Sequence, residues 1–204
     1  MPGDTADSVR RTERVAKPSQ RPGRRRLVFV RSVRQARTTT SEDEFMEPRF
    51  NLFDSPTAAK VAKRFYNASL PLGESTLPKS LRELVELRVG QINGCGFCVD
   101  IHTKEAAAAG ETALRLNLVA VWRHSTVFTD AERAALALAE EGTRLGDRGV
   151  SDETWAEVRK HFDDDQVGAL VCLVALINAA TRMNVIVHNP GGSYEPGMFA
   201  DLSS

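Results

Sequence analysis

Between Ser80 and Gly110 the chain reads SLRELVELRVGQINGCGFCVDIHTKEAAAAG, and this stretch restricts what the chain can fold into more than any other. Cys95, Cys98 and His102 are spaced by three and then four residues, which in a helix sets all three on one face. An apolar-periodic segment with Leu84, Val85, Leu87, Val89 and Ile92 precedes them, and Asn93-Gly94 interrupts it just before the first cysteine. Two helices joined at a sharp turn are therefore specified, with a thiol pair at the start of the second. Glu83 in the first helix adds a carboxylate that can meet the thiols and the imidazole in space. Such a constellation suits either redox chemistry or metal binding.

Helical periodicity continues on both sides. Asp54 or Ser55 followed by Pro56 predicts a helix start, with Val61, Ala62, Phe65 and Tyr66 as an apolar stripe and Pro71 and Gly73 as its end. Pro78 and Ser80 open the next helix. The helix that begins at Cys95 carries an alanine run to Ala109 and stops at Gly110. Beyond it, a helix from about Glu111 to Trp122 is expected to turn Leu114, Leu118 and Val121 inward, and HSTVF reads as a loop. Thr129 with Glu132 three residues on is a capping box, followed by Ala135, Leu136, Leu138 and Ala139 on one face, with Gly142 to Gly149 ending the helix. Ser151 starts a short helix holding Trp155 and Val158, and Asp163 to Gln166 leads into a long apolar helix through Ile177. Strict alternation of apolar and polar residues is absent. The fold class is all-α, a compact bundle of six or seven helices over about 46–204.

Charge divides the chain unevenly. Residues 1–45 hold eleven Arg or Lys against six acids although the whole chain is formally neutral, so the body is mildly acidic and nucleic acid is not its expected partner. The N-terminal segment has one short apolar patch, Leu27 to Val30, and is expected to be disordered. Its simplest reading is that Met46 begins the functional protein; a transit-like peptide and a basic arm built on Arg24, Arg25 and Arg26 are the alternatives. The longest apolar run, Val167 to Ile177, falls short of the roughly 20 residues a bilayer requires, so no membrane span is expected. Three cysteines do not form a disulfide framework, and a reducing cytoplasm is the expected location.

A C-x-x-C at a helix N-terminus suits thiol redox work because the unpaired N–H groups and the helix dipole favour a thiolate there. The spacing lets the second thiol attack a mixed disulfide or sulfenic acid formed on the first. Cys95 lies nearer the helix start and gains more from the dipole, whereas Cys98 sits one turn from His102, which can take its proton. An exposed dipole contributes only about 0.3–1 kcal/mol, so the adjacent base weighs more and favours Cys98 as nucleophile. Other readings exist for each residue. Glu83, three after Ser80, has the spacing of a capping box, and His102 has an alternative as a solvated helix residue. Zinc bound by Cys95, Cys98 and His102 would need a fourth ligand that no second C-x-x-C or H-x-x-x-H supplies. Cys172 reads as a packed small hydrophobe. His124 reads as a surface loop residue, His161 and His188 fall in no motif that assigns them a role, and Arg182 and Asn184 close the apolar helix, with a subunit contact as one reading and a helix C-terminal cation as the ordinary one for Arg182. The NPGGSYEPG tail is expected to lie across a partner subunit.

The run ELVELRVGQINGCGFCVDIH, with a Glu twelve residues before the C-x-x-C and a His four after it, resembles the signature of the alkyl hydroperoxidase D-like branch of the carboxymuconolactone decarboxylase superfamily. The likeness extends from about Phe50 to Tyr194. It implies an all-helical fold, homo-oligomers, often trimers or hexamers, and peroxidase or disulfide-reductase activity that needs no bound cofactor or metal but requires an external dithiol. By that resemblance Cys98 corresponds to the peroxidatic thiol, Cys95 to the resolving thiol, and Glu83 and His102 to a proton relay. Some members carry a His just before the second cysteine, where this chain has Phe97. The expected substrate is a hydroperoxide, with a dithiol protein or small thiol as reductant. A redox sensor using the same pair, and a lactone decarboxylase using Glu83 and His102, are the competing functions.

Overall fold

Local capping chemistry sets where most of the helices begin. The computed structural model describes residues 47–199, and the readings made for residues 1–45 lie outside the described residues. A 3-10 turn at Leu52–Asp54 is followed by α1 (Pro56–Glu74), α2 (Lys79–Ile92), α3 (Gly96–Ala108), α4 (Ala113–Leu118), a 3-10 segment (Val119–His124), α5 (Asp130–Arg144), α6 (Asp152–His161) and α7 (Asp164–Ile186). There is no strand among the described residues, and the fold is all-α. Ser55, Thr112, Thr129, Ser151 and Asp163 each accept the N–H three residues on. Thr129–Glu132 forms the expected capping box, and Asp163–Gln166 forms a second one.

The central helix is α2. Leu81, Val85 and Val89 pack into a core shared with α5, α6 and α7, while Leu84 and Leu87 face a second cluster with Ala106, Leu116, Val119, Trp122 and Leu136. Leu84, Val85, Leu87 and Val89 are at most 1% exposed, so burial of each contributes about 1.5–3 kcal/mol relative to exposure. A polar network anchors the C-terminal end of α2. Asn93, its C-cap, donates to Asn178 Oδ1 at 2.9 Å and Thr181 Oγ1 at 2.8 Å, and Asn178 donates in turn to Thr143 Oγ1 at 3.0 Å. The turn that presents the thiols is thereby pinned to α5 and α7.

Several expectations are corrected. Pro71 lies inside α1 and does not end it; its ring is compatible with helical φ, and the N–H of Ser75 bonds back to its carbonyl. The α1 stripe is not core, since only Leu72 is buried and Val61 is 45% exposed; it lines a cavity instead. The expected helix from Glu111 to Trp122 is two pieces, and its inner face is Leu116, Val119 and Trp122, with Leu114 and Val121 exposed. The reason is the change of period, because a 3-10 segment aligns residues three apart. In α6 Thr154 is buried with Val158 and Trp155 is exposed.

The apolar helix α7 runs nine residues past Ile177 to Ile186, and by length and composition it is long and apolar enough to cross a membrane. Its inner face (Val167, Leu170, Val174, Ile177) belongs to the core, and Asn178 and Thr181 continue the helix because their side chains are satisfied in the polar network. Cys172 lies on the outer face and is exposed, not packed.

Candidate active site

Asn93-Gly94 forms the turn read from the sequence: Asn93 closes α2, Gly94 takes φ +67°, and the Cys95 N–H bonds to the Gly90 carbonyl at 2.9 Å. Cys95 is the N-cap of α3, where its sulfur accepts the Cys98 N–H at 3.2 Å. Cys95 and Cys98 are joined as a disulfide, with Cα atoms 5.3 Å apart, and both residues are buried. At Gly90 α2 approaches this pair closely: a Cβ there would lie in van der Waals contact, 3.4 Å from Cys98 Cβ and 3.4 Å from Val99 Cγ2.

One turn further along α3, His102 Nδ1 lies 3.0 Å from Glu83 Oε2 and 3.4 Å from Glu86 Oε2. The capping role for Glu83 is ruled out, because α2 starts at Lys79, has Pro78 as N-cap without a side-chain bond, and places Ser80 inside the first turn. Nor is His102 a solvated helix residue, since its side chain is 12% exposed. Burial alone would push the His102 imidazole down, but Glu86 and Glu83 outweigh it, and the imidazole holds its proton above the ordinary histidine range. Burial, reinforced by Glu83, pushes the Glu86 carboxyl up against the pull of His102 and Arg82. Two carboxylates thus share one imidazole, with ligand atoms all within 4.8 Å, close enough for one shared proton or one cation. Glu86 escaped the sequence reading. Its signal was present, three residues after Glu83 on the same helical face.

The tail after α7 lies across α3 of its own chain. Asp100 accepts the N–H groups of Gly192 at 2.7 Å and Tyr194 at 3.0 Å, while Glu105 accepts the Tyr194 hydroxyl at 2.6 Å and the Gly197 N–H at 3.0 Å. Lys104 ties down the Tyr194 carbonyl at 2.7 Å. Burial and the Glu105 carboxylate push the Tyr194 phenol up to about 12, so it stays a donor. Gly191 is required where the tail crosses, since a Cβ there would fall 2.4 Å from the Gly96 oxygen. The turn-rich sequence of this segment could not reveal these contacts within its own chain.

Two cavities lie beside the turn at the start of α3, one reaching Cys95 and the other Phe97. One, of about 400 Å³, reaches Cys95 between Gly94, Gly96, His188 and Gly191. The other, of about 730 Å³, is largely apolar, lined by Phe50, Phe53, Val61, Tyr66, Phe97 and Met183 among others. Asn184 and Asn189 line both. His124 and His161 are exposed surface residues, and Arg182 bonds back to Asn178 at 2.9 Å. Asn184 turns inward, and its Nδ2 lies 3.9 Å from Cys98 Sγ.

Fold and site together define an all-helical protein with a disulfide-forming cysteine pair at a helix start beside a carboxylate–imidazole cluster. The chain belongs to the carboxymuconolactone decarboxylase family, whose model matches residues 56–141, and has the AhpD-like fold of that superfamily. It is 36% identical over 120 residues to the uncharacterized protein YdfG of Bacillus subtilis (strain 168), covering 59% of this chain and 82% of that protein. A protein of unknown function from Agrobacterium tumefaciens, provisionally described as the antioxidant defence protein AhpD, superposes with a TM-score of 0.67 at 31% identity, over 72% of this chain and all of that one. An uncharacterized peroxidase-related protein from Ralstonia eutropha JMP134 shares the fold at 17% identity, with a TM-score of 0.58 over 72% of this chain and 92% of that one.

Proposed function

We propose that this protein is a thiol-dependent antioxidant oxidoreductase that reduces organic hydroperoxides. The observation that carries the reading is the Cys95–Cys98 pair at the start of α3 with the Glu83–Glu86–His102 cluster one turn away. In the reduced protein, Cys98 gives its proton to the His102 system and attacks the distal peroxide oxygen. The S–O bond forms as the O–O bond breaks, the leaving alkoxide takes a proton from the relay, and an alcohol departs. Cys95 then attacks the sulfenic sulfur and expels water, leaving the disulfide. Two electrons have passed from the thiols to the peroxide, and an external dithiol returns them by attacking Cys95 through the cavity that reaches it.

His102 suits this role because Glu83 and Glu86 occupy Nδ1 and leave Nε2 for a second partner. Phe97 and the apolar cavity beside it favour the alkyl group of a substrate over water. The protein works without a bound cofactor, as a homo-oligomer of trimer or hexamer type in a reducing cytoplasm, with neither nucleic acid nor membrane as partner.

The test is the thiol count and mass of reduced protein before and after one equivalent of cumene hydroperoxide. Loss of two thiols, a mass lower by two hydrogens, and a sulfenic acid trapped in Cys95→Ser but not in Cys98→Ser are expected. If Cys98→Ser turns over peroxide normally while Cys95→Ser does not, the two roles are reversed. Full activity in both variants overturns the reading.

A further inference from the structure

Cys98 is 3% exposed, so a thiolate there is largely cut off from the water that would otherwise solvate its charge. A hydrogen-bond donor has to stand in. Asn184, in the last turn of α7, is the polar side chain at that sulfur, 3.9 Å from it through Nδ2. The orientation of its amide is fixed on both sides. Nδ2 also donates to the Ala180 carbonyl at 3.0 Å, and Oδ1 accepts from Asn189 Nδ2 at 2.9 Å. Turning the amide over would set donor against donor and acceptor against acceptor, so the second N–H stays directed at Cys98.

Asn189 is itself placed by an unusual piece of backbone. His188 takes φ +55°, a left-handed conformation that costs a non-glycine residue energy, and the Asn189 N–H then returns to the Asn184 carbonyl at 2.9 Å. The two amides line both cavities, the smaller of which reaches Cys95 of the buried disulfide. At 3.9 Å the contact to a disulfide sulfur is long, and a full negative charge on that sulfur would draw the N–H closer.

We propose that Asn184 is a catalytic residue, donating one amide hydrogen to the Cys98 thiolate of the reduced protein, and that Asn189 positions it. This rests on the reading of Cys98 as the attacking thiol. No oxidant or reductant enters the proposal: the amide lowers the cost of the thiolate before attack and again when Cys98 leaves during reduction of the disulfide.

The experiment uses a reduced Cys95→Ser/Cys172→Ser background, in which Cys98 is the sole thiol. It measures the rate of iodoacetamide alkylation against pH. The titratable groups on the neighbouring elements, Glu83 and Glu86 on α2, Asp100 and His102 on α3 and His188 after α7, are kept in every variant. Asn184→Ala is expected to raise the apparent thiol pKa and slow alkylation on the acid side about ten-fold, the size expected of one charge-assisted hydrogen bond. Asn184→Asp, nearly isosteric, is expected to slow it further by adding a like charge. Asn189→Ala is expected to shift the profile the same way by about three-fold, a smaller change than removing the donor itself. Circular dichroism and melting confirm that each variant folds, and Asn184→Asp carries the test if the alanine variant does not. An unchanged pH profile in Asn184→Asp overturns the proposal. Because alkylation uses no peroxide, failure of peroxide reduction with a shifted profile refutes the function and leaves the amide's role standing.

Discussion

Glu140 and Glu83 are both carboxylates buried between helices, and the chain neutralises them in opposite ways. Glu140 on α5 is surrounded by cations: Arg88 bonds it at 2.6 and 2.8 Å, Trp122 Nε1 at 3.0 Å, Arg123 also pairs with it, and Arg144 lies at 3.4 Å. Burial would raise its carboxyl, but the bonds from Arg123, Arg88 and Trp122 prevail and hold it below the ordinary range. Glu83 and Glu86 instead compete for one imidazole, with the result that His102 and the Glu86 carboxyl both hold protons more readily than usual. Surplus cation makes a fixed ion cluster, whereas a surplus of carboxylate leaves a proton that can move. Both clusters draw on α2, Arg88 being five residues after Glu83.

The contrast can be broken most forcefully at Glu140. Glu140→Ala leaves the Arg88 guanidinium, 12% exposed, buried without its partner, and is expected to cost about 3–5 kcal/mol in urea unfolding. The rate of disulfide formation in the folded fraction should not change. At the other cluster the weights reverse: Glu83→Gln is expected to slow peroxide-driven disulfide formation about 100-fold in stopped flow, for a stability loss of only about 1–2 kcal/mol. A variant at Glu83 with unimpaired rate would remove it from the relay.

Acid and alkali should separate the two regions as well. The raised folded-state value of His102 means that its stabilisation is complete below the unfolded value near about 6.5 and is lost as pH rises through the folded one. For Glu140, whose folded value is depressed, stabilisation is complete above the unfolded value near about 4.3 and is lost as pH falls through the folded one. Urea midpoints across pH should therefore show an alkaline decline that disappears in His102→Gln and an acid decline that shrinks in Glu140→Gln. The smallest effect is expected at Glu86→Gln. Glu86 lies 3.4 Å from His102 Nδ1 against 3.0 Å for Glu83, so a neutral amide there should slow oxidation by less than about ten-fold while moving the alkaline decline to lower pH.

Much of the site's first half was legible because it is local. The Asn93-Gly94 turn, the position of Cys95 at a helix start and the turn between Cys98 and His102 follow from spacing and capping preferences, which act within a few residues. Less visible were features that depend on period or on distance. The inner face after Gly110 was misplaced because a 3-10 segment replaces α-helix at Val119, and Cys172 was assigned to the core because its apolar neighbours say nothing of which side of α7 meets the bundle. Asn184 drew attention only as a helix-end residue. It lies 86 positions from Cys98, and nothing in either local pattern signals the contact.

By itself, then, the sequence determined an all-α chain of six or seven helices, most of them started by a capping side chain, a sharp turn before a thiol pair, and an imidazole one turn beyond it, because each is an interaction of neighbours along the chain. Only the tertiary structure decided that Glu83 faces His102 and does not cap its own helix, that Glu86 joins it, that the tail lies across α3, and that Asn184, held by Asn189, meets the Cys98 sulfur. Those pairings exist because helices distant in sequence are driven together by burial of their apolar faces, and the polar groups carried inward with them must then find partners in one another.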